Sequence, residues 1–167
     1  NLSKASTVNS FKIEASAVNM SASVVKASGT KTAINHTAFA KKRFMAEDIE
    51  GKNFFTVVRI EKSGSVVPVP TNTDTTRGVA YLTAKTLEDG DYAAISATHT
   101  FTNTPSWVTA PANALGSKLI LANTPGSDLN ASQAIPRSET VTIMTKTLGV
   151  YGDASGASPF FDMIPTD

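Results

Sequence analysis

Cysteine is absent from the 167 residues, which excludes disulfides, thiolate metal sites and a cysteine nucleophile. Charge is scarce too: Asp, Glu, Lys and Arg make 17% of the chain, below the proportion of about a quarter usual for globular domains. The net charge of +1 supplies no broad basic stripe for gripping phosphate backbones. Lys41, Lys42 and Arg43 are the one cationic cluster, read most simply as a solvated patch, so there is no strong nucleic-acid signal. Aromatics make 7% of the chain, with Trp107 as the single tryptophan. No apolar run approaches the roughly 20 residues of a bilayer-spanning helix, so no membrane span is expected.

Sites of chemistry are missing as well. There is no G-x-S-x-G elbow and no glycine-rich phosphate loop. Of the two histidines, His99 shares a strand face with Ile95 and Phe101 and reads as packed, while His36 reads as surface. With no cysteine beside them, a zinc site is not expected. Paired carboxylates for glycoside hydrolysis would have to come from Glu47, Asp48 and Glu50, or from Glu88, Asp89 and Asp91. The first group reads as a solvated face and the second as turn chemistry. Asn72, Asp74 and Thr76, and again Asp128 and Asn130, alternate oxygen donors without the charge density of a calcium loop. The expectation is therefore a protein that is not an enzyme, with no catalytic residue, no metal and no cofactor.

What is present is hydroxyl. Ser and Thr make 39 of the 167 residues. Thr and Val suit strands, and Ser, Asn and Gly suit turns. The longest alternating stretch is residues 10–26, S-F-K-I-E-A-S-A-V-N-M-S-A-S-V-V-K. Phe11, Ile13, Ala15 and Ala17 share one parity; Val18, Met20, Ala22 and Val24 share the other. Because alternate strand residues face opposite sides, a flat strand would turn its second half out of the core. A bulge near Ala17 and Val18, a turn, or a change of partner surface is required.

Further strands are expected over 30–37, 53–61, 66–70, 79–87, 92–101, 118–122 and 139–151. Pro68 and Pro70 place their strand at a sheet edge. Glu88, Asp89, Gly90 and Asp91 read as a hairpin turn joining the strands on either side. Residues 71–78, 103–116 and 123–138 read as loops. One short helix is expected near 38–50, from its Ala, Lys, Arg, Met and Glu content, although its charges oppose the helix dipole.

The fold class expected is all-β: one domain over 1–167, an antiparallel β-sandwich or jelly-roll-like fold of seven to nine strands. Residues 1–9 read as an N-terminal arm and 152–167 as a C-terminal tail. Asn1 without a preceding methionine points to processing, such as signal-peptide cleavage, and hence to an extracellular or cell-surface location, with a virion as the alternative.

Three functions fit a neutral, hydroxyl-rich strand protein. The first is a self-assembling structural subunit of an extracellular filament or pilus, binding copies of itself by exchange of its N-terminal strand. The second is a viral or phage capsid or tail subunit. The third is a carbohydrate-binding or adhesive β-sandwich. The assembly candidates are Phe11, Ile13, Val18, Met20 and Val24 of the alternating stretch, and the apolar tail residues Phe160, Phe161, Met163 and Ile164. Trp107 is the candidate stacking ring for a glycan ligand.

Overall fold

The computed structural model describes residues 11–34, 38–47, 49, 54–121 and 126–150. The chain is mostly β. Among the described residues there are β1 (Phe11–Met20), β2 (Ser23–Val25), β3 (Lys31–Ala33), β4 (Ala40–Ala46), β5 (Phe55–Ile60), β6 (Val66–Val69), β7 (Thr71–Thr76), β8 (Val79–Thr86) and β9 (Gly90–Ala97). Two helices follow, α1 (Ser106–Ser117) and α2 (Arg137–Leu148). The strands form three antiparallel sheets, ordered β1-β9-β5-β6, β4-β8-β7 and β2-β3. The proposed arm at 1–9 and tail at 152–167 lie outside the described residues.

Side-chain parity sets the layers. Phe44 and Ala46 of β4 and Ala80, Leu82 and Ala84 of β8 pack against Phe55, Val57, Val69, Tyr92 and Ala94 of the four-stranded sheet. The opposite parity of that sheet, Val58, Ala93, Ile95 and Ala97, forms a second core with Phe11 of β1 and Leu119 beyond α1. The four-stranded sheet is thus covered on both faces, which explains why β5 reads as apolar in both parities. Each fully buried Val, Leu or Ile contributes about 1.5–3 kcal/mol.

The parity change in β1 is a double irregularity. Ile13 pairs with Ile95 and Ala15 with Ala94, so Glu14 is an extra residue; between Ala15 and Val18 the register shifts again. Phe11 and Ile13 therefore serve the second core, while Ala15 and Met20 pack on the first. The bulge is the alternative that holds: β1 stays on β9 throughout, and Ala17 falls inside the second shift.

The helix expected near 38–50 is instead strand β4. Lys42, Phe44 and Ala46 are buried while Lys41, Arg43 and Met45 are exposed, a period of two that burial against β8 imposes over helix propensity. Polar residues 71–78 are not loop but β7 and its turn. Arg77 and Gly78 take φ of 53° and 78°, the two positive values that a type I′ hairpin needs, and Thr76 pairs with Val79 across it. The turn at Glu88, Asp89 and Gly90 does not close a hairpin, because β8 and β9 lie in different sheets; it arches over the end of the first core. A second crossing occurs at Pro70, between β6 and β7. There Thr71 Oγ1 donates to Val69 O at 2.7 Å and accepts the Val57 N–H at 3.0 Å, standing in for a ladder bond. β6, with Pro68, is an edge strand, as its prolines require.

The left-handed conformation of a non-glycine residue costs roughly 1–2 kcal/mol, less for Asn. Arg77→Asn is accordingly expected to raise the unfolding free energy by about 0.5–1 kcal/mol, or about 1–4 °C in Tm for a chain of this length. Thermal melts of the two proteins read this directly.

Residues 103–116 contain α1 and residues 139–151 contain most of α2, where loop and strand respectively were expected. Pro105 and Pro111 mask α1; Pro111 is accommodated inside the helix at the loss of one helical hydrogen bond. Of the strand expected over 118–122, the described residues 118–121 instead continue from the α1 terminus, with Leu119 N–H bonded to Gly116 O at 2.9 Å and Ile120 N–H to Leu115 O at 3.0 Å. Gly116 allows this end to press on Phe101, since a Cβ there would lie 2.8 Å from the ring.

In α2 the Thr-rich run suggests strand, yet Thr140, Thr142 and Thr147 hydroxyls donate to the carbonyls of Pro136, Ser138 and Ile143, four residues back. This is the back-bonding open to threonine in helices. Glu139 in the first turn, Lys146 in the last and Gly149 at φ 68° complete the helix signals. Gly149 packs on Pro70, whose ring a Cβ would overlap. Gly149→Ala is expected to lose about 2–4 kcal/mol through strain and overlap together, and to make α2 the first site of limited proteolysis.

Candidate assembly surfaces

β1 is an edge strand of the four-stranded sheet. Its residues 15–20, A-S-A-V-N-M, hold neither charge nor proline, the two features that blunt an edge against pairing. The other edges are protected differently: β6 carries Pro68, β4 carries Lys41, Lys42 and Arg43, and β7 is polar throughout. β1 runs directly into the β2–β3 hairpin, every strand residue of which is exposed. The hairpin is closed by Lys26 N–H to Thr30 O at 2.9 Å and Gly29 N–H to Lys26 O at 2.8 Å, and held to β1's end by Ile34 N–H to Ala22 O at 3.2 Å. Val24 is 54% and Val25 58% exposed, with Val18 and Ile34 also open. A lone two-stranded ribbon is marginal in water, so this one gains from a covering partner.

Among the expected assembly residues, Phe11 is buried and Ile13 half-buried in the chain's own second core. Met20 is half-buried against the first core. Val18 and Val24 are exposed and lie on the edge and ribbon just described. Phe160, Phe161, Met163 and Ile164 lie outside the described residues. Val25 and Ile34 were not among the expected assembly residues; Gly29, at φ 81°, makes the turn of the hairpin that carries them. Trp107 stands 81% exposed in the first turn of α1.

The ribbon's base is held by a polar cluster under the β8–β9 arch. Lys42 Nζ, its side chain 8% exposed, donates to Met20 O and Glu88 O at 3.0 Å each, lies 3.7 Å from Asp89 Oδ1, and sits 4.1 Å over the Tyr92 ring. Burial lowers its pKa, opposed by the Asp89 charge. Tyr92 donates to Glu88 O at 2.6 Å and shares a 2.9 Å bond with Thr86; burial raises its pKa. Asp89 also accepts the Ala22 N–H at 3.0 Å, and Asp91 accepts from the Asn19 amide at 2.7 Å. Arg59 pairs with Glu61 at 2.7 Å and with Glu88. The acids 88, 89 and 91 are thus structural partners of Arg59, Lys42 and Asn19.

His99 is buried, its backbone N–H donating to Ser117 Oγ at 2.8 Å; His36, Asp48 and Glu50 lie outside the described residues. Asp128 accepts from the Asn103 amide and the Asn130 N–H, both at 2.8 Å, and these bonds lower its pKa. Among the described residues no three His, Asp or Glu side chains converge as metal ligands, and no helix is long and apolar enough to cross a membrane. No family model, no curated protein and no solved structure matches the chain.

Proposed function

We propose that the chain is a non-enzymatic, self-assembling structural subunit of an extracellular filament or pilus, built on a β-sandwich whose partners are copies of itself. The observation that carries this reading is the surface made by the uncharged residues 15–20 of the β1 edge and the exposed β2–β3 ribbon, with Val18, Val24, Val25 and Ile34. Edge strands free of charge and proline accept further strands. A second copy is the natural occupant because the ribbon offers both pairing groups and matching apolar side chains. The jelly-roll form of the sandwich finds no support in the 4 + 3 strand order.

Strand exchange takes a particular form here. Phe11 and Ile13 already fill the chain's own second core, so a donated β1 would have to replace the same two residues in its neighbour. Edge pairing keeps both in place and is the favoured mode. A test that deletes the strand would also remove core. The variant Ala17→Lys/Val18→Lys spares the core, because both residues are exposed. Sedimentation of this variant against the parent tests the reading: dissociation to monomer supports it, and unchanged assembly contradicts it. A closed shell, as in a virion, uses the same contact and differs only in the particle formed.

A further inference from the structure

The outer face of the β4-β8-β7 sheet carries Lys41, Arg43 and Lys85 against one acid, Asp74 of β7, which lies opposite Tyr81. Lys41 lies directly opposite Lys85 in the β4–β8 register, a like-charge pair that opposes strand pairing. Next to it the Arg43 guanidinium sits 4.7 Å over the Tyr81 ring. Lys85 also borders a cleft of about 310 Å³ between this face, the sheet crossing at Pro70 and the C-terminal ends of both helices. Lys118 and Lys146 border the same cleft, as do Thr83, Asn72 and Thr147, and among the described residues no carboxylate does. Lys85, Lys118 and Lys146 have no ion-pair partner among the described residues. Helix ends favour cations, which accounts for Lys118 and Lys146 being at theirs. It does not account for Lys85, which comes from a strand and faces Lys41. Burial also lowers the Lys146 pKa, a cost that a bound anion would offset.

We infer that this cleft and the sheet face leading to it bind an acidic polysaccharide, one anionic sugar seated among Lys85, Lys118 and Lys146 and the chain continuing over Lys41 and Arg43. The Thr83 and Thr147 hydroxyls and the Asn72 amide suit sugar hydroxyls, and the apolar part of the lining, with Val69, Leu115 and Ile120, suits the C–H face of a sugar ring. Among the described residues no aromatic ring borders the cleft, whereas single-stranded nucleic acid would use stacking platforms. The volume is at the small end for ligand pockets, which run from about 300 to 1,000 Å³, and suits a sugar unit with its polymer running outside.

The test is calorimetric titration of the full chain with polyuronate oligosaccharides, a neutral glucan and single-stranded DNA of equal charge. Lys85→Gln/Lys118→Gln/Lys146→Gln and Trp107→Ala serve as variants, each first matched to the parent by circular dichroism. The expected result is binding of the polyuronate alone, weakened as salt is raised, at least tenfold weaker in the triple variant and unchanged in Trp107→Ala. Where the triple variant does not match the parent's fold, Lys85→Gln alone is titrated and is expected to weaken binding at least twofold. Binding insensitive to the lysines, equal binding of the neutral glucan, tighter binding of DNA, or dependence on Trp107 instead would each overturn the inference.

Discussion

Lys42→Met is expected to lower the unfolding free energy by about 2–4 kcal/mol, the range for removing one partner of a buried, hydrogen-bonded charge. The methionine matches the stem in volume but leaves Met20 O and Glu88 O without their donor and Asp89 without its cation. Neutralising the acid as well, in Lys42→Met/Asp89→Asn, should recover part of the loss, since the pair couples. The pH dependence has a definite sign. Burial holds the folded-state pKa of Lys42 below 10.5, so in the window from that lowered value up to 10.5 the unfolded chain binds more protons and Lys42's contribution to stability rises with pH. Tyr92 acts oppositely: its folded pKa lies above 10.0, and its contribution falls as pH climbs beyond 10. Only the first is lost in Lys42→Met. Urea titrations near neutrality and near pH 10 should show the gap between parent and variant widening with pH; a narrowing gap would show that Lys42 is not desolvated as described.

The same cluster positions the assembly surface. Lys42 binds the carbonyl at the end of β1, and Asp89 binds the amide of Ala22 at the base of the ribbon. The second large effect is expected at that surface. Ala17→Lys/Val18→Lys places two cations on an edge that otherwise lacks charge over residues 15–20. A neighbouring copy's β2–β3 ribbon laid along this edge, the head-to-tail contact that an open filament needs, would have to cover both cations. Each contact would then desolvate two lysines in an interface that must exclude water, and the expected outcome is loss of assembly beyond tenfold in the dissociation constant. Stability should change little, because neither side chain is buried. Sedimentation and thermal melts together separate the two effects: monomer with an unchanged melt is predicted, whereas intact assembly would remove β1 from the interface.

The strands were legible where one physical demand dominated. Alternation located β1, β5, β8 and β9, and the prolines placed β6 at an edge. The parity change in β1 required an irregularity, and the chain meets it with two, at Glu14 and between Ala15 and Val18. Connectivity was less legible, because an Asp-Gly turn reports a local reversal and not whether the flanking strands pair. Here Lys42, Tyr92 and Glu88 hold the turn as an arch between sheets. β4 carries helix-forming residues that burial overrules, and α2 carries strand-forming threonines whose hydroxyls bond their own helix. In α2 the terminal signals, Pro136, Glu139 and Gly149, were the better guide. On the candidate surface, Val18 and Val24 were legible from alternation, whereas Phe11 and Ile13 serve the chain's own core. The lysine cleft brings together Lys85, Lys118 and Lys146 from three separate elements, and no spacing along the chain marks it.

Negative-stain electron microscopy of the purified chain and of Ala17→Lys/Val18→Lys at matched concentration tests self-assembly most directly. The account predicts filaments with a regular subunit repeat for the parent and dispersed monomers for the variant. Dispersed monomers for the parent at every concentration, or the same polymers from both proteins, would contradict it.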